Sequence, residues 1–412
     1  MHHLDLFAAL LGAAILLLGL PSRWLQESPA PPTVLALFLG IVLGPEVLDL
    51  VDLAELGDRT RLLEGFARMA LAIGLVGVAL RIPKAYPRRN WRELGVLLAG
   101  GMLLMWAITT LLLWLLLPLP PLMAALVGAM LTATDPVAAS PIVTGALAEK
   151  MLPERLRNLI SAESGANDGL GYLIVFLPFL FLTRPAHEAW SHWLLSTLLY
   201  DVVVATLGGL ALGVVAGRLL VAAERRGLLA SQWRLVYTVA LALLAAGGGR
   251  LLGGDELLVV FAAGLGFVQV VTGDDRKNEE HGQEAVNRFF AIPVLIAIGA
   301  SIPWDGWLRL GVPGLLAAAA ILLLRRLPTI ALLQPWLPSV RGRADVLFVG
   351  WFGPIAVSAV YYATLMQHRT GESVIWDVAS LVVCASVVAH GMTAAPFTRS
   401  HARRARGAAP DA

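Results

Sequence analysis

Apolar residues run along this chain in blocks too long for the faces of a soluble fold, and charges or prolines separate them. The blocks fall near 5–20, 32–50, 61–82, 93–117, 121–146, 156–183, 193–222, 233–249, 256–272, 285–303, 309–334, 344–366 and 374–397. A helix crosses the hydrocarbon of a bilayer with about 20 apolar residues, so the pattern predicts an all-α polytopic membrane protein of about 13 transmembrane helices. The first block lacks the basic start and small-residue cleavage site of a signal peptide and is read as a span. Two blocks are interrupted midway, the fifth at Thr132-Ala133-Thr134-Asp135-Pro136 and the twelfth at Gly350-Trp351-Phe352-Gly353-Pro354. They lie an odd number of spans apart, which gives two copies of a unit inverted topology and makes these two spans broken, crossing helices. The expected organisation is one membrane domain over 1–398, with inverted repeats of roughly 1–183 and 233–398 linked by the helix 193–222, followed by a short basic cytoplasmic tail, 399–412.

Composition agrees with the pattern: 58% of residues are apolar and 15% charged, against about 25% charged in soluble domains. The net charge of +2 leaves no electrostatic footprint for nucleic acid. A lone cysteine, Cys384, excludes an intrachain disulfide and a thiolate metal site. Basic loops stay cytoplasmic, and with the N-terminus outside, twenty-one of the lysines and arginines fall inside, among them Arg23, Arg276, Lys277 and Arg406, while six fall outside. The expected orientation is therefore N-terminus outside and C-terminus cytoplasmic.

Within the spans a few polar groups stand out. Asp135 sits deep in the fifth block, where a charge costs at least about 2.5–3.5 kcal/mol. Unwinding at Pro136 frees carbonyls, and Thr132 and Thr134 add hydroxyls, a set of hard oxygens suited to a small cation; the blander reading of Asp135 is a helix N-cap at the restart. The next span carries Glu163-Ser164-Gly165-Ala166-Asn167-Asp168-Gly169. Four-residue spacing places Ser164 and Asp168 on one face and Glu163 and Asn167 on the adjoining one. Gly165, Gly169 and Gly171 remove bulk and are expected to let the fifth span approach, so that Asp135 and Asp168 face one another across a small pocket. Arg325 and Arg326 in the eleventh block either snorkel to the inner interface or include a partner for Glu163.

The remaining polar residues read as structural. Glu64 and Arg68 are spaced for an i,i+4 ion pair, Asp255 and Glu256 for charges at a helix N-terminus, and His390 for a packed, hydrogen-bonded histidine. Gly209, Gly213 and Gly217 form a stripe for close helix packing.

Thr-Asp-Pro at 134–136, Glu-Ser-Gly-Ala-Asn-Asp-Gly at 163–169, Gly-Trp-Phe-Gly-Pro at 350–354 and His-Gly-Met-Thr-Ala-Ala-Pro at 390–396 resemble the NhaP-type sodium/proton antiporters, the electroneutral branch of the monovalent cation:proton antiporters. Gly44-Pro45 fits as well. The resemblance covers nearly the whole chain. It implies a homodimer, in a prokaryotic plasma (inner) membrane, exchanging Na⁺ (or Li⁺) for H⁺ one for one without a cofactor. It also implies Na⁺ held at Asp168, Asp135, the Ser164 hydroxyl and the Thr134 carbonyl, with Glu163 acting through water or an arginine, Asn167 stabilising the crossing helices, and Arg326 a better match than Arg325 for the arginine of the eleventh helix. Where relatives often follow Gly-Trp-Phe-Gly-Pro with a basic residue this chain has Ile355, which leaves open how the half-helix dipoles are balanced. K⁺/H⁺ exchange is the alternative on the same scaffold. An intramembrane aspartyl protease, the remote alternative, needs a Gly-x-Gly-Asp signature that no aspartate here has.

Overall fold

A computed structural model describes residues 2–28, 30–230, 232–271 and 275–407. Among them the regular structure is helical throughout. The main helices are α1 (His2–Gly19), α2 (Pro32–Leu43), α3 (Arg59–Arg81), α4 (Trp91–Leu116), α5 (Pro121–Met130), α6 (Pro136–Val143), α7 (Glu154–Thr183), α8 (Ala186–Arg225), α9 (Trp233–Leu251), α10 (Glu256–Val270), α11 (Asp275–Ala300), α12 (Trp304–Leu324), α13 (Arg343–Trp351), α14 (Val357–Thr370) and α15 (Val374–Gly407). Every expected block is occupied by helix, and both expected breaks are present, between α5 and α6 and between α13 and α14. Among the described residues seven helices are long and apolar enough to cross a membrane. The chain is an integral membrane protein, and leucines such as Leu16, Leu199, Leu244 and Leu308 are exposed on its flanks, where lipid rather than water would meet them.

Local chemistry sets the boundaries. Asp58 caps α3 by accepting from the Arg61 amide at 3.1 Å, and Asp255 caps α10 from the Leu257 amide at 3.0 Å. α14 stops at Gly371, whose φ of +75° closes the last turn. Two helices differ from the hydropathy reading. α8 is forty residues long, about 60 Å at about 1.5 Å per residue, because the polar stretch at 186–192 continues the helix instead of ending it. The eleventh block is also interrupted: α12 ends at Leu324 and a short helix, Leu327–Leu333, resumes after the arginine pair. Pro328 removes a helical donor there, and the two guanidinium groups are drawn to different partners, described below. α15 continues to Gly407, through most of the segment expected as a tail. Residues 408–412, and the side chains of Arg23, Arg276, Lys277 and Arg406, lie outside the described residues.

The helices form two groups. One contains α2, α3 and α8–α11; the other contains α4–α7 and α12–α15. The glycine stripe holds the first together: a Cβ on Gly213 would lie 1.9 Å from the Ala263 carbonyl oxygen, so α8 and α10 are in backbone contact. The groups meet where α3 packs on α14 and α10 packs on α7, the region that frames the site.

Candidate functional site

Proline lacks an amide hydrogen and its ring collides with the carbonyl four residues back. Pro136 and Pro354 therefore end the helices that precede them, and the two breaks cross, with the Asp135 amide donating to the Pro354 carbonyl at 2.9 Å. Four half-helix ends meet at this point. The N-termini of α6 and α14 share one carboxylate: Asp135 Oδ1 accepts from the amides of Val137 and Ala138 at 2.8 and 2.9 Å, and Oδ2 accepts from the Ser358 amide at 2.9 Å. At the C-termini of α5 and α13 the guanidinium of Arg325 donates to the carbonyls of Leu131 and Thr132 at 2.6 and 2.8 Å and to that of Gly353. An anion thus lies on the two positive helix ends and a cation on the two negative ones. This arrangement balances the dipoles without a basic residue at position 355; Ile355 is buried and its amide donates to Ser386 Oγ at 2.7 Å.

Arg326 has a separate task. It donates to both carboxylate oxygens of Glu163, each at 2.6 Å, to Thr134 Oγ1 at 3.0 Å and to the Val349 carbonyl at 2.9 Å. Arg325 and Arg326 are each 2% exposed, so neither snorkels; the partner of Glu163 is Arg326. Asn167 completes the join, accepting from the Thr134 amide at 3.1 Å and donating to Glu163 at 3.3 Å. The Thr132 hydroxyl turns back to the Gly128 carbonyl at 2.8 Å, and the Ser164 hydroxyl lies 3.3 Å from the Ser161 carbonyl.

Asp168 is the exception in this network. It is completely buried, and no donor meets its carboxylate oxygens with full hydrogen-bond geometry; the Ser358 hydroxyl, which has no other partner among the described residues, faces them. The glycines beside it admit different neighbours from those expected. A Cβ on Gly165 would strike the Phe261 ring at 2.4 Å and one on Gly169 the Leu258 backbone at 2.8 Å, while Gly171 lies against Tyr362. These glycines face α10 and α14; the fifth span does pack on α7, as expected, but through other residues, because side-chain periodicity names the face of a helix but not its partner.

A cavity of about 200 Å³ reaches Gly74, Pro136 and Val137, and is lined also by Arg81, Thr144, Glu284 and Arg288. Its lining extends to Arg81 at the end of α3 and to the start of the short helix Gly145–Met151. The opposite end of α3 carries a cluster of charges that borders a second cavity, of about 340 Å³, lined by Arg61, Glu64, Arg68, Arg250 and His368. Glu64 accepts from Arg250 at 3.1 Å, Glu256 lies 3.7 Å from both Arg68 and Arg250, and Tyr361 donates to Glu256 at 2.8 Å. Glu64 and Arg68 thus take partners from other helices instead of forming the local pair that their spacing suggests. Both ring nitrogens of His390 lie 2.9 Å from backbone carbonyls, those of Ser386 and Trp351, so it is a packed histidine, as expected. Sequence reasoning missed Ser358, Tyr361 and Tyr362 as neighbours of the site; the one cue was their position just after the twelfth-span break.

Residues 9–400 match the family model described as sodium/hydrogen exchanger, transmembrane. A Schizosaccharomyces pombe protein named as a probable Na⁺/H⁺ antiporter is 31% identical over 387 residues, 87% of this chain and 51% of that one. A Na⁺/H⁺ antiporter of Saccharomyces cerevisiae is 29% identical over 398 residues, 89% and 40% of the two chains. The chain thus spans about half the length of these curated relatives. A second S. pombe Na⁺/H⁺ antiporter is 29% identical over 390 residues, 87% and 82% of the two chains. The solved structure of the sodium proton antiporter MjNhaP1 from Methanocaldococcus jannaschii at pH 8 shares the fold, with a TM-score of 0.70 at 18% identity over 97% of this chain and 99% of that one.

Proposed function

The chain belongs to the sodium/hydrogen exchanger family, and from that premise we propose that it is a secondary antiporter exchanging Na⁺ (or Li⁺) for H⁺ by alternating access. One observation carries the reading: Asp168, a buried carboxylate with no cationic partner and no fully formed hydrogen bond on either oxygen among the described residues, lies beside a crossing whose other charges are matched. An unpaired charge in apolar surroundings is unfavourable, and either a bound cation or a bound proton relieves it. Competition between the two for Asp168, with Asp135 as the second carboxylate, supplies the coupling, because only an occupied, neutralised site crosses between the two openings.

The Ser164 hydroxyl and the Thr134 carbonyl complete the proposed Na⁺ shell. Glu163, Asn167 and Arg326 hold α7 against the crossing, and Arg325 holds the half-helix ends. Asn167 adds no second charge at that position, in keeping with one-for-one, electroneutral exchange. The cavity beside Val137 is the cytoplasmic entrance, and the charge cluster at Glu64, Arg68, Arg250 and Glu256 lies toward the outside. The working unit is a homodimer of two-repeat protomers in a plasma (inner) membrane, N-terminus outside, with the basic tail in the cytoplasm.

The test is cation-dependent proton flux in proteoliposomes with an imposed pH gradient, over a series of Li⁺, Na⁺ and K⁺. Na⁺ and Li⁺ are expected to drive flux and K⁺ to leave it near background. Flux driven by K⁺ alone would move the assignment to K⁺/H⁺ exchange, and no flux with any of the three would reject it.

A further inference from the structure

Asp255 has one oxygen more than its structural role requires. Its Oδ1 caps α10 by accepting from the Leu257 amide at 3.0 Å, whereas Oδ2 is buried with no hydrogen-bond partner; the residue is 1% exposed. Asparagine or serine caps a helix about as well as aspartate without placing a charge in apolar surroundings. Capping therefore does not account for the acid.

Its neighbours do not neutralise it. The charged and titratable groups around it are Asp168 and Tyr172 from α7, Asp201 from α8, Glu256 on its own helix, and Tyr361 and Tyr362 from α14. The nearby cations Arg68 and Arg250 are taken by Glu64 and Glu256, and the Tyr361 hydroxyl by Glu256; Arg369 stacks on the Phe176 ring at 4.9 Å and faces Tyr172 and Asp201. The Tyr362 hydroxyl donates to the main-chain oxygen of Asp168. The position is also distinctive. Gly169 presses on the Leu258 backbone, one turn along α10 from Asp255, so Asp255 lies beside the segment that carries Asp168. Gly254 and Glu256, its chain neighbours, line a cavity of about 120 Å³ shared with Tyr172, Arg250, Tyr361 and Arg369 at the end that carries the charge cluster. Asp255 thus stands between that cavity and Asp168. A proton needs no more than the single oxygen that Oδ2 offers.

We propose that Asp255 is a proton station on the outer side of the exchange site. It takes a proton on Oδ2 from the outer cavity and passes it to the Asp168 carboxylate as Na⁺ leaves, returning to a carboxylate itself. This rests on the antiport reading above.

The experiment compares two reactions in right-side-out membrane vesicles: Na⁺ efflux driven by an inward proton gradient, and exchange of ²²Na⁺ for Na⁺ at equal pH, which moves no net proton. In Asp255→Asn, which keeps the cap, proton-driven efflux is expected to fall about tenfold or more while isotope exchange keeps its wild-type rate. Wild-type values for both overturn the proposal, and so does an equal fall in both, which would mark a structural or cation-binding role. If Asp255→Asn fails to accumulate, Asp255→Ser, which also caps, is read in the same way. Absence of both reactions from the wild-type protein would instead reject the antiport reading.

Discussion

Asp168→Asn is expected to reduce Na⁺-dependent proton flux to that of liposomes without protein, and to leave the protein at least as stable as the wild type. Both halves follow from the same geometry. The carboxylate makes no fully formed hydrogen bond and faces the Ser358 hydroxyl, which a neutral amide of the same shape can still meet, so the replacement costs little hydrogen bonding. It also removes an unfavourable buried charge. Loss of activity with retained or improved stability is the mark of a group kept for function at the expense of the fold. The check pairs flux in proteoliposomes with the thermal midpoint of the purified protein in detergent. A fall in the midpoint along with the flux would instead make Asp168 a structural residue.

The opposite result is expected at Arg326. Arg326→Met leaves Glu163 charged and buried without its bidentate partner, and it also removes the donor to Thr134 and Val349. Removing one member of a buried pair costs about 3–5 kcal/mol, a large part of the stability of a typical domain. The variant is expected to accumulate poorly and to unfold at a lower temperature. The double variant Glu163→Gln with Arg326→Met buries no unpaired charge and is expected to regain most of the loss, since neutral replacement of a whole buried pair is often tolerated. A single variant with a wild-type midpoint would show that the pair contributes nothing to stability.

These two residues also mark how far the sequence could be read. The breaks at 132–136 and 350–354 were legible because proline has a fixed local effect, and the shared faces at 163–168 because helical periodicity is local too. Which helices those faces meet was not legible. The spacing of Gly165, Gly169 and Gly171 points to the fifth span, which does pack on α7, whereas the glycines themselves meet α10 (Gly165 and Gly169) and α14 (Gly171); Glu64 and Arg68 are spaced to pair with each other and instead pair with Arg250 and Glu256. Such choices are made by tertiary packing between residues as much as 186–188 positions apart. The arginine pair shows the limit most clearly. Two adjacent guanidinium groups cannot face one way along a regular helix. The chain breaks at Arg325 and Arg326, and each takes one half of the work, Arg325 at the helix ends and Arg326 at Glu163. No spacing rule predicts that division.

Asp135 was read from sequence both as a cap and as an ion ligand. In the structure both of its oxygens accept backbone amides, so it already serves as the first, whereas Asp168 has no structural role for its carboxylate.

The proposed competition between cation and proton for that carboxylate is read in the apparent KM for Na⁺ in ²²Na⁺ exchange, measured with equal pH on both sides at several pH values. If a single proton and Na⁺ exclude one another, KM rises by about tenfold for each unit the pH falls through the acidic range, by mass action, while the maximal rate is unchanged. A KM independent of pH, with the maximal rate alone changing, would contradict it.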